Sequence, residues 1–183
     1  MSKWHENRRL IGAFALAAAG CMLYATFSRE WLVNDRLDLL FGLRDNLTCG
    51  VPDMCAPTSN SELVELMGHT ASGAFPIFGW IATVTCLLAA FGLGLAGALA
   101  LANKQPRLPV SPSTIAIVAI MAGLVAGCVF VATKPGSSVG VGLAFTIFGA
   151  GSVGGIAVAQ LLSKLNRAAD PDLTEGSMNP DDF

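Results

Sequence analysis

The sequence predicts an all-α membrane protein: a four-transmembrane-helix antiparallel bundle with a small disulfide-pinned extracytoplasmic loop, its segments compatible with β-strands, between helices 1 and 2. Three observations predict it. Four apolar spans, residues 10–27, 71–102, 113–133 and 139–162, contain no Asp, Glu, Lys, Arg or His. Hydrophobic residues make up 53% of the 183 positions and charged ones only 13%, outside the range of soluble globular domains. Each span is close to or above the roughly 20 apolar residues a helix needs to cross a bilayer, and the basic residues gather on alternate connections.

The first span follows Lys3, Arg8 and Arg9. Ala18-Ala19-Gly20-Cys21 resembles a lipoprotein cleavage box, but Ala18 stands where a larger aliphatic residue is usual. The apolar run also continues through Met22 to Phe27 instead of turning polar. The segment therefore reads as a retained helix, and Arg8-Arg9 as an anchor on the inner side.

Residues 28–70 form one long outer loop, with seven acids and three bases. Cys49 and Cys55 lie in Thr48-Cys49-Gly50-Val51-Pro52-Asp53-Met54-Cys55, where Gly50 and Pro52 let the chain turn back. An oxidising compartment then favours a structural disulfide. The alternative, a redox pair passing electrons to quinone, would need a second thiol pair, and the other outer turn has no cysteine. Asn46-Leu47-Thr48 matches a glycosylation acceptor. Ser59-Asn60-Ser61-Glu62 fits a capping box that opens a short amphipathic helix. On that helix Glu62, Glu65 and His69 could share one face, a solvated polar face unless other outer-loop acids complete a metal site.

The second span, 32 residues, would be about 48 Å long as one helix. Pro76, with Gly73 and Gly79 nearby, predicts a kink or a helix start close to Phe75. Asn103 to Pro112 is a tight, proline-rich inner connection, and Lys134 to Ser138 a five-residue outer turn. The tail 168–183 carries five acids and two prolines without apolar periodicity and reads as disordered. Residues 1–167 then form a single membrane domain.

Small residues recur every four positions in all four spans, for example Ala119, Gly123, Gly127 and Gly151, Gly155, Ala159. In lipid, helices associate through the close packing that such residues allow. The ridges predict tight packing within the chain, with a dimerisation face at Gly123/Gly127 or Gly151/Gly155 as the alternative. Cys21, Cys86 and Cys128, alone on three spans, read as small packing residues.

With the N-terminus inside, Lys3, Arg8, Arg9, Lys104, Arg107, Lys164 and Arg167 all fall on the inner side. This predicts a multi-pass protein of the plasma (inner) membrane with both termini cytoplasmic. The charge-free spans argue against pumps, proton relays and carriers of charged solutes, and the acidic outer loop against nucleic-acid binding. No nucleophile–base constellation, phosphate-cradling loop or metal- or haem-binding set is visible, so neither an enzyme nor a cofactor is expected.

The segment Phe27-Ser28-Arg29-Glu30-Trp31-Leu32-Val33, then Phe41-Gly42-Leu43, then Cys49 and Cys55, resembles the claudin and peripheral myelin protein superfamily. The four-span layout with a long first outer loop fits the same family; Ala- and Gly-heavy spans give this chain a bacterial character. Arg44 stands where the family's second tryptophan would be. The resemblance implies a loop folded as a small sheet pinned by the disulfide, and the alternation of Trp31, Val33, Leu37 and Leu39 is compatible with strands. The five-residue second outer turn is too short for the family's second contact segment, so tight-junction sealing is not implied.

The expected function is that of a structural or interaction protein. Its outer loop, with Trp31, Gly42, Leu43 and Arg44 as the interaction residues, would be presented to a membrane or surface protein, a second copy of the chain or an opposing surface, with membrane lipids as surroundings. A small channel or carrier for neutral or apolar solutes, using the hydroxyls of Thr83, Thr85, Thr146 and Ser152, is the alternative. A quinone-linked thiol oxidoreductase comes third.

Overall fold

A computed structural model describes residues 3–34, 39–50, 54–68, 72–104 and 110–168, with side chains from Asn7 onward except those of residues 48–50, 54, 55 and 168. Its elements in chain order are α1 (Lys3–Phe27), β1 (Leu32–Asn34), β2 (Leu39–Phe41), β3 (Asp45–Gly50), β4 (Met54–Ser59), α2 (Asn60–Met67), α3 (Ala74–Leu101), α4 (Pro112–Ala132), β5 (Gly140–Val141) and α5 (Leu143–Ala168). Four of these helices, α1, α3, α4 and α5, are long and apolar enough to cross a membrane, and the chain is a multi-pass helical bundle.

The helix starts follow from local chemistry. Pro76 occupies the first turn of α3, where a missing N–H costs no intrahelical bond. Pro112 opens α4 behind Ser111, whose Oγ accepts from Thr114 N at 3.1 Å. The predicted capping box opens α2: Ser59 Oγ accepts from Glu62 N at 3.2 Å, while Glu62 Oε2 accepts from Ser59 N at 3.1 Å.

In the bundle α3 packs broadly on both α1 and α4, and α5 closes the ring against the other sides of α1 and α4. Small residues set these distances. A β-carbon added at Gly97 of α3 would lie 2.8 Å from the Gly12 carbonyl oxygen of α1, and one at Gly92 only 2.9 Å from Ala116 N of α4. Gly123, Gly127, Gly151 and Gly155 are all buried. Their open sides face Thr85, Phe148 and Trp31, Cys21, and Ile120 and Leu93 of the same chain. The ridges are therefore used within the molecule.

One end of the bundle carries a five-stranded antiparallel sheet of order β4-β3-β2-β1-β5. β1 is its hinge: Leu32 stands opposite Phe41 of β2 on one side and Val141 of β5 on the other. The last strand corrects the sequence reading twice. Val139 to Gly142 does not belong to the fourth span, since α5 starts at Leu143. The connection after α4 is consequently not a five-residue turn but residues 133–142, long enough to add a strand. Val139 is apolar because it is buried under the lobe, not because it is in a membrane helix.

The register of β3 and β4 sets Cys49 opposite Cys55 on the backbone; their side chains lie outside the described ones. Among the described residues no disulfide occurs, and Cys21, Cys86 and Cys128 are free thiols. The acidic tail from residue 169 and residues 105–109 of the tight connection also lie outside the described residues. α1 begins and α5 ends at the bundle end away from the sheet.

Candidate functional site

The sheet lobe is the one elaborated region of the molecule, and Trp31 seats it on the helices. α1 runs out at Phe27, leaving terminal carbonyls without helical partners, and the Trp31 indole Nε1–H turns back to donate to one of them, Ala25 O. The backbone of Trp31 meanwhile joins the sheet from both sides: its N–H donates to Phe41 O at 3.0 Å, and its carbonyl accepts from Gly142 N at 2.9 Å. The ring is fully buried. It meets Phe130 of α4 edge-on at 6.0 Å and Phe145 and Phe148 of α5 at 5.8 and 5.1 Å. Phe75 of α3 stacks on Phe130 at 4.4 Å and takes the edge of Phe41 from β2 at 6.3 Å. Aromatic contacts at these separations add to simple burial, so one residue of the loop engages α1, α4 and α5 together.

Gly42 and Leu43 form the second seat. Leu43 is buried, and its carbonyl lies on α3 at Gly79, where any β-carbon would run into it. Gly42 N donates to Asp45 O at 2.7 Å, and Gly42 O accepts from Asn60 Nδ2 at 3.0 Å. Asn60, buried at the start of α2, also donates its N–H to Arg44 O at 3.0 Å. This bend thus ties the sheet, α2 and α3 to one another.

Of the four interaction residues expected from the sequence, Trp31 and Leu43 are buried against the helices, Gly42 is buried with its open side toward Asp45 and Ser28, and Arg44 is the one with a partly exposed side chain. The Arg44 guanidinium lies over the rings of Phe27 at 5.6 Å and Trp80 at 6.0 Å. Next to it, Arg29 pairs with Asp45 at 2.9 Å. The most exposed large apolar side chain of the lobe is Leu66 on α2, at 81%.

Other expected sites fall differently. Asn46 is fully buried, and its Nδ2 donates to Ser59 O at 3.4 Å, so the glycosylation tripeptide does not present its acceptor. Glu62 is engaged in the cap of α2, Glu65 is exposed, and His69 lies outside the described residues. Among the described residues no three His, Cys, Asp or Glu side chains gather as metal ligands.

The span hydroxyls mostly bond backward along their own helices: Thr83 Oγ1 to Gly79 O at 2.9 Å, Thr85 Oγ1 to Ile81 O at 2.9 Å and Thr146 Oγ1 to Gly142 O at 3.5 Å. Ser152 Oγ is buried without a protein partner. Cys86 of α3 is buried, and Thr26 Oγ1 of α1 donates to Met22 O at 2.8 Å.

The setting of one polar residue was not legible in the sequence. Arg8, expected as an anchor on the inner side, is only 4% exposed at the bundle end away from the sheet. Its guanidinium donates to Asn103 Oδ1 at 3.3 Å, Lys104 O at 2.9 Å and Asn166 Oδ1 at 3.2 Å, linking α1 to the end of α3 and to α5. The available signal was the presence of Asn103 and Asn166 at the ends of two other spans, level with Arg8.

Compared with known proteins, the chain matches no family model and no curated protein.

Proposed function

We propose that this is an integral membrane structural or interaction protein, claudin-like in plan, whose sheet lobe is presented to a protein partner beside it or on an opposing surface. The observation that carries the reading is the seating of the lobe: Trp31 and Leu43 fix a five-stranded sheet rigidly on the four helices. Such a mount holds a binding surface in one orientation and lowers the ordering cost of association. The edge strand β4 contains Pro57, which disfavours strand addition at that edge. A partner would therefore read side chains of the lobe, with Leu66 and its neighbours on α2 the accessible apolar ones.

Basic residues at the chain-end side, Arg9, Lys104, Lys164 and Arg167, support an orientation with both termini in the cytoplasm of the plasma (inner) membrane. The facing Cα register of Cys49 and Cys55 supports the predicted cross-strand disulfide. Alkylation without reductant followed by mass spectrometry tests it; two freely modified thiols exclude the bond.

Photocrosslinkers at Ala56 and Leu66, both exposed on the lobe, test the function in intact membranes. A discrete protein adduct from these positions, and none from Val125 on the apolar flank of α4, is the expected result. Identical patterns from all three positions would remove the lobe as the interaction surface.

A further inference from the structure

The geometry points to Arg44, seated on Phe27 and Trp80, as a binding site for the phosphate of a phospholipid in the leaflet on the sheet side. Three observations combine. The first is chemical. A guanidinium stacked on aromatic rings uses its faces, and its five N–H donors lie in the plane and stay available. Those of Arg44 meet no carboxylate among the described residues. The neighbouring acids are engaged elsewhere: Asp45 with Arg29, Glu30 with the Tyr24 hydroxyl at 3.3 Å, and Glu62 with Ser59. The fork geometry of arginine matches two phosphate oxygens.

The second is exposure. Phe27 and Trp80 are 63% and 55% exposed, and the apolar face beneath them continues through Leu23, Ile81, Val84 and Leu88, also exposed. A lipid whose phosphate meets Arg44 would lay its chains along that face.

The third is depth. Trp80 to the end of α3 at Leu101 spans about 32 Å and Arg8 to Phe27 in α1 about 29 Å, at 1.5 Å per residue. Both lengths match a hydrocarbon core of roughly 30 Å. Arg44 consequently sits at the boundary where phosphates lie and where tryptophan belts form. The site rests on the four helices being spans and is independent of the lobe's protein partner, so either idea can fail alone.

Native mass spectrometry of the detergent-solubilised full chain, titrated with phosphatidylglycerol, tests the site. The first lipid is expected to bind wild type about tenfold more tightly than Arg44→Gln, the size of one charge-assisted hydrogen-bond loss. Arg44→Lys, which keeps the charge but not the fork, falls between them. Lys164→Gln, altering an exposed lysine at the opposite end, leaves the first affinity unchanged. If Arg44→Gln fails to fold, Phe27→Leu with Trp80→Leu carries the test through a smaller weakening. Equal first-lipid affinity in wild type and a folded Arg44→Gln overturns the site. So does an Arg44-dependent peak formed by inorganic phosphate without lipid, or one formed by a second copy of the chain.

Discussion

The two ends of the bundle are held by opposite means. At the sheet end, large rings interlock: Trp31, Phe41, Phe75, Phe130 and Phe148 are all buried and touch one another in a chain of contacts. At the other end the side chains shrink to Ala15, Ala96 and Ala100 around Leu162, the backbones of α1 and α3 approach at Gly12 and Gly97, and one arginine supplies the polar closure. The difference follows from what each end must join. Where helices meet only helices, close backbone approach suffices in lipid. Where a sheet is mounted on helices, aromatic residues fill the contact between the two with few rotatable bonds.

The largest break in this contrast is expected from Trp31→Ala, which removes the common contact of α1, α4 and α5. Equilibrium unfolding in micelles should lose about 3–5 kcal/mol, as for other buried aromatic truncations. Hydrogen exchange should rise first in β1, β2 and β5, and a uniform rise through the helices would argue against a localised seat. Next come two matched glycine changes. Gly79→Ala drives a methyl into the Leu43 backbone and Gly97→Ala one toward the Gly12 carbonyl, each expected to cost about 1–3 kcal/mol of overpacking. The Gly79 change should be the worse and should free the lobe, while the Gly97 change should loosen only α1 against α3.

The smallest effect is expected from Arg8→Gln, about 1–2 kcal/mol, because water at the bundle end can replace part of its hydrogen bonding. Its signature is local: faster exchange at the start of α1 and the end of α5 with the sheet unaffected. Faster exchange in β1 on this change would mean that the two ends are coupled.

How much of this was readable in advance depended on the length of each signal. Twenty apolar residues without a charge can only be a span or a buried helix, so the four helices were plain, and so was the α2 start, whose Ser59 and Glu62 form a purely local device. β5 was hidden because Val139-Gly140-Val141 abuts the apolar start of α5, and a short apolar run carries no period that separates strand from helix. The burial of Arg8 was not legible for a related reason. A basic residue at a span end usually reaches water, and only the distant Asn103 and Asn166, brought in by tertiary packing, turn it inward. Trp31 stood out as a residue type, but its burial was not legible, since tryptophan just past a membrane helix usually marks the interface. Only the fold reveals that, of the four expected interaction residues, Arg44 is the one with a partly exposed side chain.

The placement of β5 has a consequence for biosynthesis. One edge of β1 is completed by Gly140 and Val141, more than a hundred residues later in the chain. At ribosomal rates of about 5–20 residues per second, that edge stays open for roughly 5–20 s after β1 is made. The three long helices α1, α3 and α4 are made before the sheet can close. A nascent chain stalled before residue 140 would thus offer an unpaired strand edge to proteases and chaperones on the sheet side.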